Sequence, residues 1–366
     1  MTLGCLFCSL PGEEVRAVAE LCSSTEPPEM EKLDMNASKE ESVCHFSENK
    51  LYLSLTYSVV FVLGLPLNGT VLWSSWRQTK RWSCATIYLV NLMVADLLFV
   101  LTLPFLIITY CLHDSWIFGE LLCRLVRFLF YANLYGSILL LTCISVHRFL
   151  GVCHPLRSMP YRTHRHAWLG AVTTWALVLL QVLPTLAFSQ TAYIEGQVIC
   201  YDTTSPENFD QFFAYAMALT LSGFVFPSLV ILLCYSLMIR SLIRSEEILT
   251  RSGQAAQAKS IRTILLICGL FALCFVPFHV ARTFYLIVSF LTAQDCQLLR
   301  AASMAYKMWR PLLSMSTCLN PILYFLLGSS NRVRLLQKLR QNKVAGQPVA
   351  GKGETSRGGQ IWVLPK

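Results

Sequence analysis

The sequence predicts an all-α membrane protein: a seven-transmembrane helix bundle with a short amphipathic helix after the seventh span. Three observations predict it. Of 366 residues, 54% are hydrophobic and only 14% charged, where an average soluble protein is about a quarter charged. Seven long apolar stretches divide the chain. The lysines and arginines gather in every second connector between them. A soluble globule of this size has no room to hide so much apolar surface. The same numbers argue against a two-domain cytosolic enzyme and exclude a disordered or collagen-like chain.

The stretches run over 51–76, 85–111, 121–147, 167–188, 211–239, 261–290 and 299–327. A transmembrane helix needs about 20 apolar residues. In lipid, a helix satisfies its own backbone groups, which favours it for such runs. The sixth and seventh stretches are expected to be the least apolar. Residues 1–50 form an outer segment, 51–327 the membrane domain and 328–366 an inner tail. In that tail SSNRVRLLQKLRQNK alternates apolar and basic residues at helical spacing. It reads as an amphipathic helix near 329–340 lying on membrane lipids.

Cation placement sets the orientation. The segments 77–81, 148–165, 240–262 and 328–366 hold 20 of the 30 lysines and arginines, against three acids. The alternate connectors hold acids such as Asp114, Glu195, Asp202 and Asp295. The N-terminus is therefore extracellular and the C-terminus cytoplasmic. Residues 1–50 carry 10 acids and 4 bases, so the net charge of +9 is concentrated in the rest. Such asymmetry points to membrane orientation, and no nucleic-acid polymer is expected as a partner. Asn36-Ala-Ser38 is a glycosylation acceptor on the outer segment. The opening MTLGCLFCSLPGEE lacks a basic flank and reads as a poor signal peptide, leaving insertion to the first span.

Most of the 15 cysteines lie in apolar runs, where Cys behaves as a small hydrophobe. No paired CxxC stands at zinc-ligand spacing, so no structural metal is expected. No nucleophile–base pair marks an enzyme. No paired broken helices mark a transporter, and no glycine-rich filter marks a channel.

Motifs then narrow the class. Asn68 sits in the first span and Leu92-x-x-Ala95-Asp96 in the second. His147-Arg148-Phe149 ends the third, and Trp175 lies in the fourth. Pro227 with Tyr235 marks the fifth, and Phe271-x-x-Cys274-Phe275-x-Pro277 the sixth. Asn320-Pro321-x-x-Tyr324 marks the seventh. In this order the set resembles the rhodopsin-like G-protein-coupled receptors over roughly 44–340. That resemblance implies a plasma-membrane receptor that works with a heterotrimeric G protein. Arg148 would serve coupling, and Tyr235, Phe271, Phe275, Pro277, Asn320, Pro321 and Tyr324 would serve the switch. Pro277 removes a backbone hydrogen bond and kinks its helix. His147 stands where the class has an acid, which weakens the local lock on Arg148. Two disulfides are implied, Cys123–Cys200 and Cys44–Cys296, while Cys5, Cys8, Cys22 and Cys111 stay unassigned. Asp96, an ionisable group deep in an apolar span, should face the bundle interior with partners. The resemblance implies an allosteric sodium site there, completed by Asn133, Ser137 and Asn320. The alternative is a protonated or water-bonded structural Asp96. No other cofactor is implied.

Setting aside the inner cations and those of 1–50 leaves Arg124, Arg127, Arg282, Arg300, Lys307 and Arg310. All fall in or beside the outer portions of the third, sixth and seventh spans. Charge at membrane depth is costly and usually functional. Planar guanidinium forks suit phosphate oxygens. Phe130, Tyr131, Tyr285 and Tyr306 supply faces on which a base can stack, and His279 adds a hydrogen-bonding group. For Arg300 snorkelling to headgroups is the better reading; Arg127, Arg282 and Arg310 together point to an anionic ligand. The stretch CRLVRFLFYANLYGSILLLTCISVHRFLGVCHPL, with FVPFHVART and AYKMWRP, is similar to the metabotropic purinergic receptors, and among them to the uridine-nucleotide-responsive, Gq-coupled group. The family's phosphate-binding positions match Arg127, His279, Arg282, Lys307 and Arg310. Tyr131, Tyr135 and Tyr306 match other pocket positions. The resemblance implies UDP or UTP as ligand and calcium release through phospholipase C as output. The rival is another anion, such as a lysophospholipid, leukotriene or carboxylate.

Overall fold

A computed structural model describes residues 50–77, 82–194, 196–201, 208–244, 251–291 and 296–327. Seven helical spans run through it, as the hydropathy pattern predicts. Six are by themselves long and apolar enough to cross a membrane: Leu51–Trp76, Cys84–Cys111, Gly119–Cys153, His164–Phe188, Phe209–Ile243 and Ile261–Leu291. The seventh, Cys296–Ser314 followed by Ser316–Leu327, is interrupted at Met315 and carries Arg300, Lys307 and Arg310. The sixth corrects an expectation, because it holds the most apolar window of the six. Between Arg262 near one end and His279 in its second half runs a long uninterrupted apolar stretch.

Five spans change geometry partway, and prolines account for four of the changes. The second span runs Cys84–Val100, turns, and resumes as Leu103–Cys111 with Pro104 in its first turn. The fourth runs His164–Val182 and resumes as Thr185–Phe188, with Pro184 at the new N-cap. Proline suits a helix start because its missing N–H would be unpaired there anyway. The fifth and sixth spans instead pass through a wide π-helical turn, Leu221–Val225 and Phe271–Phe275. Pro227 and Pro277 follow directly. A helical proline deprives the carbonyl four residues back of its donor and clashes with it. Those carbonyls belong to Gly223 and Leu273, and both fall inside the wide turns. Such turns are frequent at functional sites.

The third helix, Gly119–Cys153, is unbroken over 35 residues and carries the most buried window of the six spans. It packs against the second, fourth and fifth spans. Long polar bonds stitch the bundle. Asn68 Nδ2 donates to Gly64 O at 2.9 Å and to Thr317 O at 3.0 Å, joining the first and seventh spans. Trp175 Nε1 donates to Asn91 Oδ1 at 2.9 Å, joining the fourth and second. Large apolar side chains such as Trp168, Leu169, Val172 and Leu180 stay exposed along the fourth span, as a lipid-facing surface requires.

One end of the bundle carries an antiparallel hairpin, Thr191–Ile194 paired with Gln197–Cys200, with Thr191 opposite Cys200. Gly196 makes its turn with φ of 83°, a left-handed backbone that glycine adopts without a Cβ clash. The Cys123–Cys200 disulfide pins the hairpin to the third helix. Trp116 N–H adds a bond to Val198 O at 2.7 Å. Asn36, Cys44 and the amphipathic helix near 329–340 lie outside the described residues, as do almost all of the segments 1–50 and 328–366. Of Cys296 only the backbone is described. Cys111, unassigned from the sequence, is disulfide-bonded.

Candidate functional site

Helical spacing puts Arg127, Tyr131 and Tyr135 on one face of the third helix, each four residues from the next. The sixth span contributes His279 and Arg282, three apart, and the seventh Tyr306 and Arg310, four apart. All seven of these side chains are buried. Their rings form a continuous aromatic path across three helices. Tyr131 lies against Tyr135 and Phe130, Phe130 against Phe278, and Phe278 against Tyr306, with centroids 5.1–6.4 Å apart. Tyr306 then stacks on Tyr285 at 5.6 Å, the rings 4° from parallel.

The guanidiniums are set into this path. Arg127 donates to the carbonyl of Cys200 at 3.0 Å, so the disulfide-bearing hairpin positions it. Arg310 lies over the Phe130 ring at 4.8 Å. Lys307, half-buried, is within electrostatic reach of Arg310. Arg282 is 2% exposed. It donates to Tyr135 Oη at 3.3 Å and Thr220 Oγ1 at 3.4 Å, and covers the Tyr131 ring at 5.1 Å. Its Nε has no hydrogen-bond partner among the described residues. Arginine does not deprotonate in proteins, so a full positive charge is buried among neutral groups. Removing an ion from water without a counter-charge costs several kcal/mol, on the order of 5. His279 stacks on Phe224 at 4.0 Å, the rings 14° apart. Neither of its ring nitrogens has a hydrogen-bond partner among the described residues.

The six outer cations therefore separate. Arg127, Arg282 and Arg310 are buried, and Lys307 sits beside them. Arg124 turns away, paired with Glu120 one helical turn earlier and donating to Leu186 O at 2.9 Å. Arg300 is exposed. The fifth span supplies three neighbours that sequence reasoning missed. Thr220 holds Arg282, and Phe224 stacks on His279. A Cβ on Gly223 would come within 2.4 Å of the Tyr135 ring. The glycine inside an apolar helix was the available signal, since glycine there often marks a close approach.

Deeper in the bundle Asp96 is completely buried. It accepts from Asn133 Nδ2 at 2.8 Å and from Asn320 Nδ2 at 3.0 and 3.3 Å. The Ser137 hydroxyl is buried nearby in the third helix and has no hydrogen-bond partner among the described residues. Towards the other end, the hydroxyls of Tyr235 and Ser145 meet at 2.6 Å. Phe271 and Phe275 lie 5.0 Å apart across the π turn. Pro321 sits inside Ser316–Leu327, next to buried Asn320 and Tyr324. Arg148 makes no ion pair or side-chain hydrogen bond among the described residues, and its Nε is buried.

Seven spans and this ordered set of intramembrane groups define a class. Residues 67–324 match the family "7 transmembrane receptor (rhodopsin family)". The chain is 46% identical over 288 residues to P(2Y) purinoceptor 2 of Homo sapiens, covering 78% of this chain and 76% of that one. It is 42% identical over 315 residues to P(2Y) purinoceptor 4 of Homo sapiens, covering 85% and 84%. With P(2Y) purinoceptor 4 of Xenopus laevis the identity is 40% over 335 residues, 90% of this chain but 62% of that longer relative. The chain belongs to the P(2Y) purinoceptors of the rhodopsin family, which are multi-pass membrane signalling receptors and not enzymes.

Proposed function

We propose that this chain is a plasma-membrane receptor for extracellular nucleotides, UDP or UTP, that signals through a Gq-type G protein, phospholipase C and calcium. The single observation that carries the reading is Arg282. A guanidinium with neutral partners alone, flanked by two further buried arginines and an aromatic path, is complementary to a polyphosphate on a planar base. The names of the relatives, purinoceptors, support it.

The phosphates bridge Arg127 on the third helix, His279 and Arg282 on the sixth, and Lys307 and Arg310 on the seventh. Tyr131, Tyr135, Tyr285 and Tyr306 flank the nucleoside. The ligand shifts the receptor only by its greater affinity for the active arrangement. Drawing the outer sixth helix inwards, with the Phe271–Phe275 turn and Pro277 as the flexible point, swings its inner end outwards. Arg148 and the basic inner loops then meet the G protein. The N-terminus lies outside and the C-terminus inside, following the basic flanks. Asp96 receives an allosteric sodium ion. A buried carboxylate with only amide donors lacks a counter-charge, and the Ser137 hydroxyl and Asn320 Oδ1 are oxygens without hydrogen-bond partners among the described residues.

The test is intracellular calcium in receptor-null cells given UDP, UTP, ADP and ATP. A uridine-nucleotide response that Arg282→Ala and Arg310→Ala reduce at least about 30-fold, with surface expression retained, is expected; 30-fold corresponds to about 2 kcal/mol. Silence of the surface-expressed wild type towards all four nucleotides, even with a promiscuous G protein, would overturn the nucleotide reading. Anionic lipids would then be tested next.

A further inference from the structure

We propose a second anion site at the opposite end of the bundle, a cavity between the second, third and fourth spans that takes a phosphate group. It rests on the orientation given above, which makes that end cytoplasmic, and not on the identity of the outer ligand. The cavity measures about 210 Å³, and Tyr88, Cys143, His147, Arg162 and His166 are among its walls.

Arg162 makes the site. It follows the short 3₁₀ turn Met159–Tyr161, and its amide donates to Ser158 O at 3.0 Å. Its carbonyl accepts from the Cys84 thiol at 3.4 Å. Both ends of the residue's backbone are thus fixed, which aims the side chain at the third helix. There the guanidinium lies on the backbone of Gly151. A Cβ at that glycine would sit 2.8 Å from Arg162 Cζ and 2.9 Å from both terminal nitrogens. Arg162 Nε is buried without a hydrogen-bond partner among the described residues, and so is Arg148 Nε. Neither arginine pairs with an acid among the described residues. His147 and Arg148 stand within electrostatic reach of Arg162. His166 Nδ1 is 2.8 Å from Thr163 Oγ1, which leaves its Nε2 for a ligand. Arg162 and two histidines therefore line the cavity without a carboxylate, and Arg148 stands within electrostatic reach of Arg162.

Partly buried cations without a counter-charge call for an anion. A guanidinium held flat presents a fork of parallel N–H donors, the geometry that suits phosphate oxygens. The surroundings have the residue types of a membrane–water interface. Trp82 stacks on Trp168 at 6.1 Å beside the cavity, and Trp168 is 47% exposed. Tryptophan collects at membrane–water interfaces, and the cytoplasmic leaflet is the anionic one. The phosphate is either that of an inner-leaflet lipid or a free one.

The experiment uses the full chain with Arg282→Ala, which weakens phosphate binding at the outer site, and the Arg162 variants are compared in that same background. Thermal unfolding is followed in phosphatidylcholine nanodiscs. One arm adds 5% phosphatidylinositol 4,5-bisphosphate to the disc, a second adds 20% phosphatidylserine, and a third titrates inorganic pyrophosphate. The proposal expects the bisphosphate lipid, pyrophosphate or both to raise the midpoint with saturation. Arg162→Gln should weaken that binding at least tenfold, and Arg162→Lys less. Gly151→Ala, which displaces the guanidinium without removing it, should weaken it about threefold and serves if Arg162→Gln does not fold. A response to the lipid alone assigns a headgroup; a response to pyrophosphate assigns a site open to free phosphate. No response to either, equal stabilisation by phosphatidylserine, or a response that both variants leave unchanged overturns the site.

Discussion

Gly223→Ala is the sharpest test of how the outer site is assembled. The added Cβ would stand 2.4 Å from Tyr135 Cδ1 and 2.7 Å from Cε1, and ordinary contact begins at 3.4 Å. The ring must therefore retreat by about 1 Å, the difference between 2.4 and 3.4 Å. Tyr135 is completely buried, so its ring can move only by displacing neighbouring side chains. Its hydroxyl accepts from Arg282 at 3.3 Å, already near the limit, so a 1 Å displacement ends that bond. Overpacking of this kind costs about 1–3 kcal/mol in stability. A lost bond from a charged donor costs about 1.5–3 kcal/mol, so nucleotide potency should fall about tenfold or more. Two measurements decide it: calcium responses normalised to surface receptor, and unfolding midpoints of purified protein. In a Tyr135→Ala background the clash has no partner, and Gly223→Ala should then be nearly neutral. Equal cost in both backgrounds, or wild-type potency in the single variant, refutes the reasoning.

Three further outcomes are expected. Arg124→Ala should leave nucleotide potency within about threefold of wild type, because exposed pairs contribute about 0–1 kcal/mol; a loss matching Arg282→Ala would place Arg124 in the site after all. Replacing sodium by choline should raise nucleotide affinity in the wild type and have no effect in Asp96→Asn, as equilibrium binding would reveal; a sodium response that survives in Asp96→Asn removes the ion from Asp96. Cys123→Ser should destabilise the protein by about 2–4 kcal/mol and weaken nucleotide potency further than the stability loss explains, since Arg127 hangs from the Cys200 carbonyl; matched surface levels with unchanged potency would show that the hairpin does not position Arg127.

Much of this was legible from the residues. Apolar run length gives the seven spans, because lipid leaves a helix as the solution for each run. The separation of Arg127, Arg282 and Arg310 from Arg300 follows from depth along the chain. Arg124 was harder: it lies one turn from Arg127, and only the Glu120 side chain shows which way it turns. The wide turns of the fifth and sixth spans have proline as their visible cause, yet proline alone also fits a simple kink. Which carbonyl is released depends on how neighbouring helices pack. Thr220 and Phe224 were invisible for a related reason. In an apolar run nothing marks the lipid face from the bundle face, and the π turn rotates the residues that follow it. Ser137 is near enough in sequence to Asn133 to be grouped with Asp96, but its hydroxyl has no hydrogen-bond partner among the described residues.

The unbroken third helix has a mechanical meaning. From Arg127 to Arg148 is 21 residues, about 32 Å at 1.5 Å per residue, roughly the thickness of the hydrocarbon core. Along that one rod lie the disulfide anchor Cys123, buried Arg127, the tyrosines, the partner of Asp96 and the arginine at the far mouth. Five of the other spans contain a joint; this one has none. A rod without a joint offers no preferred point for a sharp kink, so on the proposed function it is the stator against which the jointed helices turn. On the proposed function, the information that crosses the membrane is an angle between the sixth helix and the third, set by a ligand that grips both at the outer end.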